Sequence, residues 1–183
     1  MTKPRAPRAV FLTGFMGAGK SSAGRALAQQ LGWSFVDLDR RIEKREGTSI
    51  ARIFEQRGER GLRRAESAAL REVLAELRES GPAVVALGGG TLAITRNRRR
   101  LRQHGGALVF LDAPLSTLHS RSRRGGRKRP LFASPEQFRQ LYRSRLPQYR
   151  KATLRVSTWR KHPQAVAAKV AAALGFGPSQ EVR

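Results

Sequence analysis

The stretch Gly14-Phe15-Met16-Gly17-Ala18-Gly19-Lys20-Ser21 constrains the fold of this chain more than any other. An apolar run, Ala9-Val10-Phe11-Leu12, leads into it and reads as a short buried strand. Ser22 to Leu31 follows as a helix, with Leu27 and Leu31 on one face. Strand, Gly-x4-Gly-Lys-Ser loop and helix together distinguish a phosphate-binding loop from a glycine-rich turn carrying an incidental lysine. Glycines let backbone N–H groups turn inward around phosphate oxygens, and the helix dipole favours an anion at that helix start. Lys20 then reaches the β- and γ-phosphates, and the Ser21 hydroxyl is a ligand for Mg²⁺. A bound nucleoside triphosphate is the expectation.

The rest of the chain supplies strands alternating with helices. Trp33–Asp39 reads as a second strand ending in the carboxylates Asp37 and Asp39. Arg40–Glu46 and a short amphipathic helix from Thr48 to Phe54 come next, with Gly58 separating that helix from a longer one over Glu59–Ser80. Ala83–Leu87 is an unpatterned apolar run suited to a central parallel strand, and it ends in Gly88-Gly89-Gly90. Thr95–His104 is a basic helix, Ala107–Asp112 a fourth strand, and Pro114–Arg123 a further helix. The basic loop Arg124–Pro130 carries a Gly125-Gly126 hinge. Pro135–Tyr149 reads as helix, Thr153–Ser157 as a fifth strand, and Pro163–Leu174 as the closing helix. This pattern predicts an α/β fold: a five-stranded parallel sheet with helices on both faces and a mobile lid. One domain over residues 8–175 is expected, with flexible tails at 1–7 and 176–183.

At 183 residues with 39% hydrophobic composition, the chain suffices for a proper core. No apolar run approaches the roughly 18 residues of a membrane span, and no cleavable signal is visible, so a cytoplasmic location is expected. Cysteine is absent, which excludes disulfides and thiol chemistry. The net charge of +24 has two readings. It marks either a polyanionic partner or an arginine-rich composition spread over a solvated surface. Arginines occur throughout, without the interleaved aromatics of a single-strand stacking platform. That favours composition, leaving nucleic acid at most as a weak, charge-driven partner.

Taken singly, the candidate side chains leave alternatives open. Asp37 and Asp39 suit a metal shell or the orientation of an acceptor hydroxyl, but also capping of a loop. Arg63 and Glu66, three apart on a helix, make either a surface ion pair or a rigid fork for an anion. The Gly88–Gly90 turn is either a tight turn or a ligand-contacting element. Arg145 is not distinguishable from the arginines around it.

The order of the pieces resembles the shikimate kinase family from about Val10 to Leu174. The matching landmarks are Gly17–Ser21, Asp37-Leu38-Asp39, Ile50-Ala51-Arg52-Ile53-Phe54, and Gly58-Glu59 with Leu62-Arg63. They continue through Gly88-Gly89-Gly90, Arg129-Pro130-Leu131 and Arg145-Leu146-Pro147-Gln148-Tyr149. The resemblance implies a P-loop kinase fold, ATP and shikimate as substrates, Mg²⁺ as cofactor, and transfer of the γ-phosphate to the shikimate 3-hydroxyl. By the same resemblance, Gly17, Ala18, Gly19, Lys20, Ser21, Ser22, Arg123 and Arg129 hold the nucleotide, with Lys161 near the adenine. Asp39, Arg63, Gly89 and Arg145 hold shikimate, while Ser21 and Asp37 serve the metal. Lys20, Asp39 and the lid arginine Arg129 are the implied catalytic groups. A monomer is expected. Leu62 departs from the family, standing where an aromatic is common. So does the third strand, which lacks a terminal acidic residue, leaving metal contact to Ser21, Asp37 and phosphate oxygens. Kinases of other small hydroxy acids, such as gluconate, and a nucleic-acid-binding or regulatory P-loop module are the alternatives.

Overall fold

The computed structural model describes residues 7–124 and 134–177. The Gly125-Gly126 hinge and Arg129 lie outside the described residues.

Five strands form one parallel sheet: β1 (Ala9–Thr13), β2 (Ser34–Asp37), β3 (Ala83–Ala86), β4 (Ala107–Asp112) and β5 (Leu154–Ser157). Their spatial order is β2-β3-β1-β4-β5. Every residue of β1 and β3 is buried, which explains why neither shows alternation. Successive β1 side chains point to opposite faces of the sheet. Phe11 meets the His104 ring edge-on at 5.5 Å, from helix α4 (Thr95–His104). On the other face Leu12 and Phe35 pack against Gly24 of α1 (Lys20–Leu31), where an added Cβ would lie 2.5 Å from the Phe35 ring. Both faces are therefore covered, as the alternation of strands and helices requires.

After β1 the chain moves outward to β2, returns to β3 beside β1, then crosses to β4 on β1's other side. A reversal of this kind opens a crevice beyond the carboxyl ends of the strands. Gly14, Asp37 and Leu87 stand at the ends of β1, β2 and β3, so the sequence motifs meet at that crevice.

One expectation is corrected. The second strand stops at Asp37, and Leu38 and Asp39 open helix α2 (Leu38–Glu46). Asp37 is the N-cap: its carboxylate accepts from the N–H groups of Asp39 (3.1 Å) and Arg40 (3.4 Å). Leu38 and Ile42, four apart and fully buried, anchor the helix. The next helix, α3 (Ile50–Glu79), runs through Gly58, whose φ of 62° and ψ of −172° break it into the two segments expected. A 3-10 turn, Thr91–Ala93, follows the glycine triplet. The remaining helices are α5 (Leu115–Arg124), α6 (Pro135–Tyr149) and α7 (Pro163–Ala173). Among the described residues, no helix is long and apolar enough to cross a membrane.

Candidate active site

The loop between β1 and α1 has the backbone its glycines predict. Gly14, Gly17 and Gly19 all have positive φ, at 144°, 79° and 84°. At Gly14 and Gly17 a Cβ would also run into the carbonyls of Leu111 and Leu118, so only glycine fits there. The loop is tied by Ala18 N–H donating to the Phe15 carbonyl (3.1 Å), and Ala23 N–H to Gly19 (2.9 Å). Lys20 Nζ folds back to donate to the carbonyls of Gly14 (2.8 Å) and Phe15 (3.2 Å). Ser21 Oγ donates to Asp37 Oδ2 at 2.6 Å, joining the loop to the end of β2. Gly17, Gly19, Lys20 and Ser21 line a cavity of about 360 Å³ together with Asp37 and Asp39.

A neighbouring cavity of about 250 Å³ shares Gly19 and Ser22 with the first and adds Ala18, Thr158, Lys161 and Pro163. Arg121 lines both cavities, and its guanidinium donates to the Thr158 carbonyl (3.1 Å) and hydroxyl (3.3 Å). Arg123, the residue expected there, is exposed and lines neither cavity. Helical phase explains the difference: Arg121 lies one turn beyond buried Leu118 on the same face of α5, and Arg123 does not.

The glycine triplet forms the centre of a second cluster. A Cβ on Gly88 would stand 2.8 Å from Glu66 Oε1 and 3.0 Å from Asp39 Oδ1; one on Gly89 would stand 3.2 Å from Arg145 Nη1. A Cβ on Gly90 would fall within the Arg63 guanidinium. Two carboxylates and two guanidiniums therefore converge on three residues of backbone, and Asp39 borders the nucleotide-loop cavity as well.

The charges are held differently. Arg63 donates to Glu66 Oε2 (2.5 Å) and to Glu59 Oε1 (2.9 Å). Glu66 is only 4% exposed, so this is a buried clamp and not the surface pair left open by the spacing. Burial pushes the Glu66 carboxyl above its ordinary range, against the pull of Arg63. Burial acts to lower Arg63, but Glu66 and Glu59 carry it above its usual value. Arg145 is 6% exposed and lies over the Phe15 ring at 5.9 Å. Among the described residues no carboxylate hydrogen-bonds to it, and burial lowers its pKa. Tyr149, which was not singled out from the sequence, donates its hydroxyl to the Gly89 carbonyl at 2.6 Å and holds the turn from below. Burial raises that phenol to about 12, so it remains a donor at neutral pH.

Gly90 has φ −105° and ψ −6°, a conformation open to any residue. Gly90→Ala is therefore expected to leave the backbone unstrained while displacing the Arg63 guanidinium. If Arg63 contacts the acceptor, as the resemblance implies, acceptor KM rises about tenfold, the loss of one charge-assisted contact, with ATP KM unchanged. An unchanged acceptor KM would separate Arg63 from the acceptor.

For a divalent cation the donors present are Ser21 Oγ and Asp37, hard oxygen ligands joined at 2.6 Å beside the loop. Among the described residues no three acidic or histidine side chains gather into a metal cage. That donor set fits Mg²⁺, which keeps waters and takes phosphate oxygens alongside one or two protein ligands.

Comparison with known proteins gives a consistent result. The family model described as "Shikimate kinase" matches residues 16–175. The shikimate kinase of Geobacter sulfurreducens is 42% identical over 174 residues, spanning 93% of each chain. That of Persephonella marina is 38% identical over 160 residues, covering 87% of this chain and 94% of the relative. Among solved structures, the shikimate kinase from Acinetobacter baumannii in complex with shikimate superposes with a TM-score of 0.85 at 33% identity. The match covers 98% of this chain and 97% of that one.

Proposed function

The chain belongs to the shikimate kinase family, and from that premise we propose how its own residues divide the work. The reaction is transfer of the γ-phosphate of ATP to the 3-hydroxyl of shikimate, giving ADP and shikimate 3-phosphate.

The Gly17–Ser21 amides cradle the phosphates, and Lys20 leaves the loop carbonyls to bind the β- and γ-phosphate oxygens. Ser21 and Asp37 would hold Mg²⁺, which would supply positive charge against the phosphate oxygens. The cavity beside Arg121, Thr158, Lys161 and Pro163 takes the base. On the other side of Asp39, Arg63 and Arg145 hold the shikimate carboxylate, and Gly89 offers its backbone to the ring. Asp39 accepts the hydrogen bond of the 3-hydroxyl, orients its oxygen toward the γ-phosphate, and takes the proton as the new P–O bond forms.

The observation that carries this assignment is Arg145, a guanidinium almost wholly removed from water without a carboxylate bonded to it. Tyr149 and Glu66 offset part of its burial without a carboxylate bonding to it, and a bound anion would offset the rest. The substrate carboxylate supplies one, in a site already walled by Arg63 and Gly89. A direct test compares ADP release by purified protein with ATP and, separately, shikimate, gluconate and RNA. Turnover with shikimate alone is expected; stimulation by gluconate or RNA in its place would overturn the assignment.

The two arginines should respond differently to removal. Arg145→Ala and Arg63→Ala are each expected to weaken shikimate roughly tenfold to a hundredfold, with ATP binding unchanged. Arg63→Ala also strands the buried Glu66 carboxylate, a loss of about 3–5 kcal/mol when it stays ionised. Arg145→Ala strands no bonded carboxylate, so its melting temperature should fall less than that of Arg63→Ala. Thermal melts and acceptor KM values on both variants check this; a shikimate analogue lacking the carboxylate should lose little further in either. Additive losses from analogue and mutation would mean that these arginines do not contact that group.

A further inference from the structure

Between α3 and α4 lies an open cleft of about 370 Å³ that shares only Arg63 with the site described above. Helical spacing builds its walls. Arg64, Ser67, Ala68 and Arg71 form one stripe of α3 at intervals of three and four, and Arg96 and Arg100 are four apart on α4.

No acidic residue lines this cavity. Elsewhere α3 balances its charge: Glu72 bonds Arg45, and Glu76 bonds Arg41, both on α2. The charged residues it contributes to the cleft are all arginines, and α4 has five arginines and no acidic residue. Arg100 reaches the Ser67 carbonyl at 3.5 Å. Arg64, Arg71 and Arg96 have no carboxylate partner among the described residues. Several like charges facing one concavity repel one another, and a multivalent anion seated between them removes that cost.

We propose that the α3–α4 cleft is an anion-binding site for a small phosphate-bearing molecule, held by Arg64, Arg71, Arg96 and Arg100. Its volume falls within the range of small-molecule sites, roughly 300–1,000 Å³. Guanidinium forks match phosphate oxygens in geometry and stay charged at any working pH. A single-stranded nucleic acid fits less well, because no aromatic side chain lines the cleft to stack a base.

The test uses the whole protein saturated with a non-hydrolysable ATP analogue, Mg²⁺ and shikimate, so that neither the nucleotide loop with its γ-phosphate position nor the Arg63–Arg145 pair is open to the probe. Inorganic phosphate, fructose 1,6-bisphosphate and a twelve-residue oligothymidylate are titrated separately by calorimetry at about 0.15 M salt, where long-range attraction is screened. Saturable one-to-one binding of a phosphate probe is expected, weakened about tenfold or more in an Arg71→Gln/Arg96→Gln double variant. Turnover and melting temperature of that variant should match the parent, since neither residue belongs to the reaction machinery. Tighter binding of the bisphosphate would point to a phosphate ester as the occupant, and equal binding to free phosphate. The proposal fails if neither phosphate probe saturates, if the folded double variant binds as tightly as the parent, or if oligothymidylate binds there undisplaced by the bisphosphate.

Discussion

Lys20→Ala is expected to lower kcat about a hundredfold or more in a protein that remains folded. Lys20 Nζ sits where the loop meets α1, bonded to two carbonyls of its own loop and partly exposed. Its removal takes no apolar packing from the core, and the Phe15 carbonyl keeps its bond from Ala18 N–H. The loop keeps its shape through Ala18–Phe15 and Ala23–Gly19 backbone bonds and the closely packed Gly14 and Gly17. Fold and function should therefore separate: a nearly unchanged melting temperature, with ADP binding retained in part through the amides. What disappears is a preorganised cation where charge builds up in the transition state, and one such contact is worth about 10²–10³ in rate. Steady-state turnover and a thermal melt on the same preparation give the answer. Near-normal turnover in the folded variant would remove Lys20 from phosphoryl transfer, and the P-loop reading with it.

Sequence and structure agree most closely where one local rule decides. The apolar run before the loop, the unpatterned third strand and the bounds of α4 and α6 follow from periodicity and from Gly, Ser and Pro punctuation. The Arg63–Glu66 pair follows from i,i+3 spacing, but not its burial, which depends on the glycine triplet packing over it. Asp39 was misplaced onto a strand because Asp37-Leu38-Asp39 extends an alternating run. The stronger signal was the Asp37 cap followed by Leu38 and Ile42 at helical spacing. Arg145 looked like its neighbours when only charge was considered. In α6 it occupies the stripe of Phe138 and Tyr149, seven residues after one and four before the other. An arginine in the apolar phase of an amphipathic helix is a readable sign of a buried cation, and the same phase argument puts Arg121, but not Arg123, on the face of Leu118 in α5. Tyr149 needed the fold: its partner Gly89 is sixty residues away in the chain. The concentration of arginines between α3 and α4 also needed the fold, since each helix alone reads as an ordinary solvated surface.

Asp39→Asn keeps the size of the side chain and removes its charge, and kcat is expected to fall by about a hundredfold to ten-thousandfold, the usual contribution of a general base. The position favours a role toward the acceptor. Asp39 lies in the first turn of α2, with Oδ1 facing the Gly88 turn and the Glu66 carboxylate, on the side where Arg63 and Arg145 converge. Asp37, two residues earlier, is committed elsewhere: Oδ2 to Ser21 and Oδ1 to the N-terminal amides of α2. The two carboxylates should therefore fail in different ways. In Asp39→Asn, KM for ATP and the Mg²⁺ requirement should stay close to the parent while turnover collapses, because the amide can still hydrogen-bond the hydroxyl but cannot take its proton. In Asp37→Asn the Mg²⁺ concentration for half-maximal rate should rise, and the cap of α2 should weaken only slightly because the amide oxygen still accepts. Titrating Mg²⁺ and ATP against both variants reads these effects apart. If nucleotide affinity is lost in Asp39→Asn and kept in Asp37→Asn, the carboxylates have the reverse assignment, and the hydroxyl must give its proton to another group.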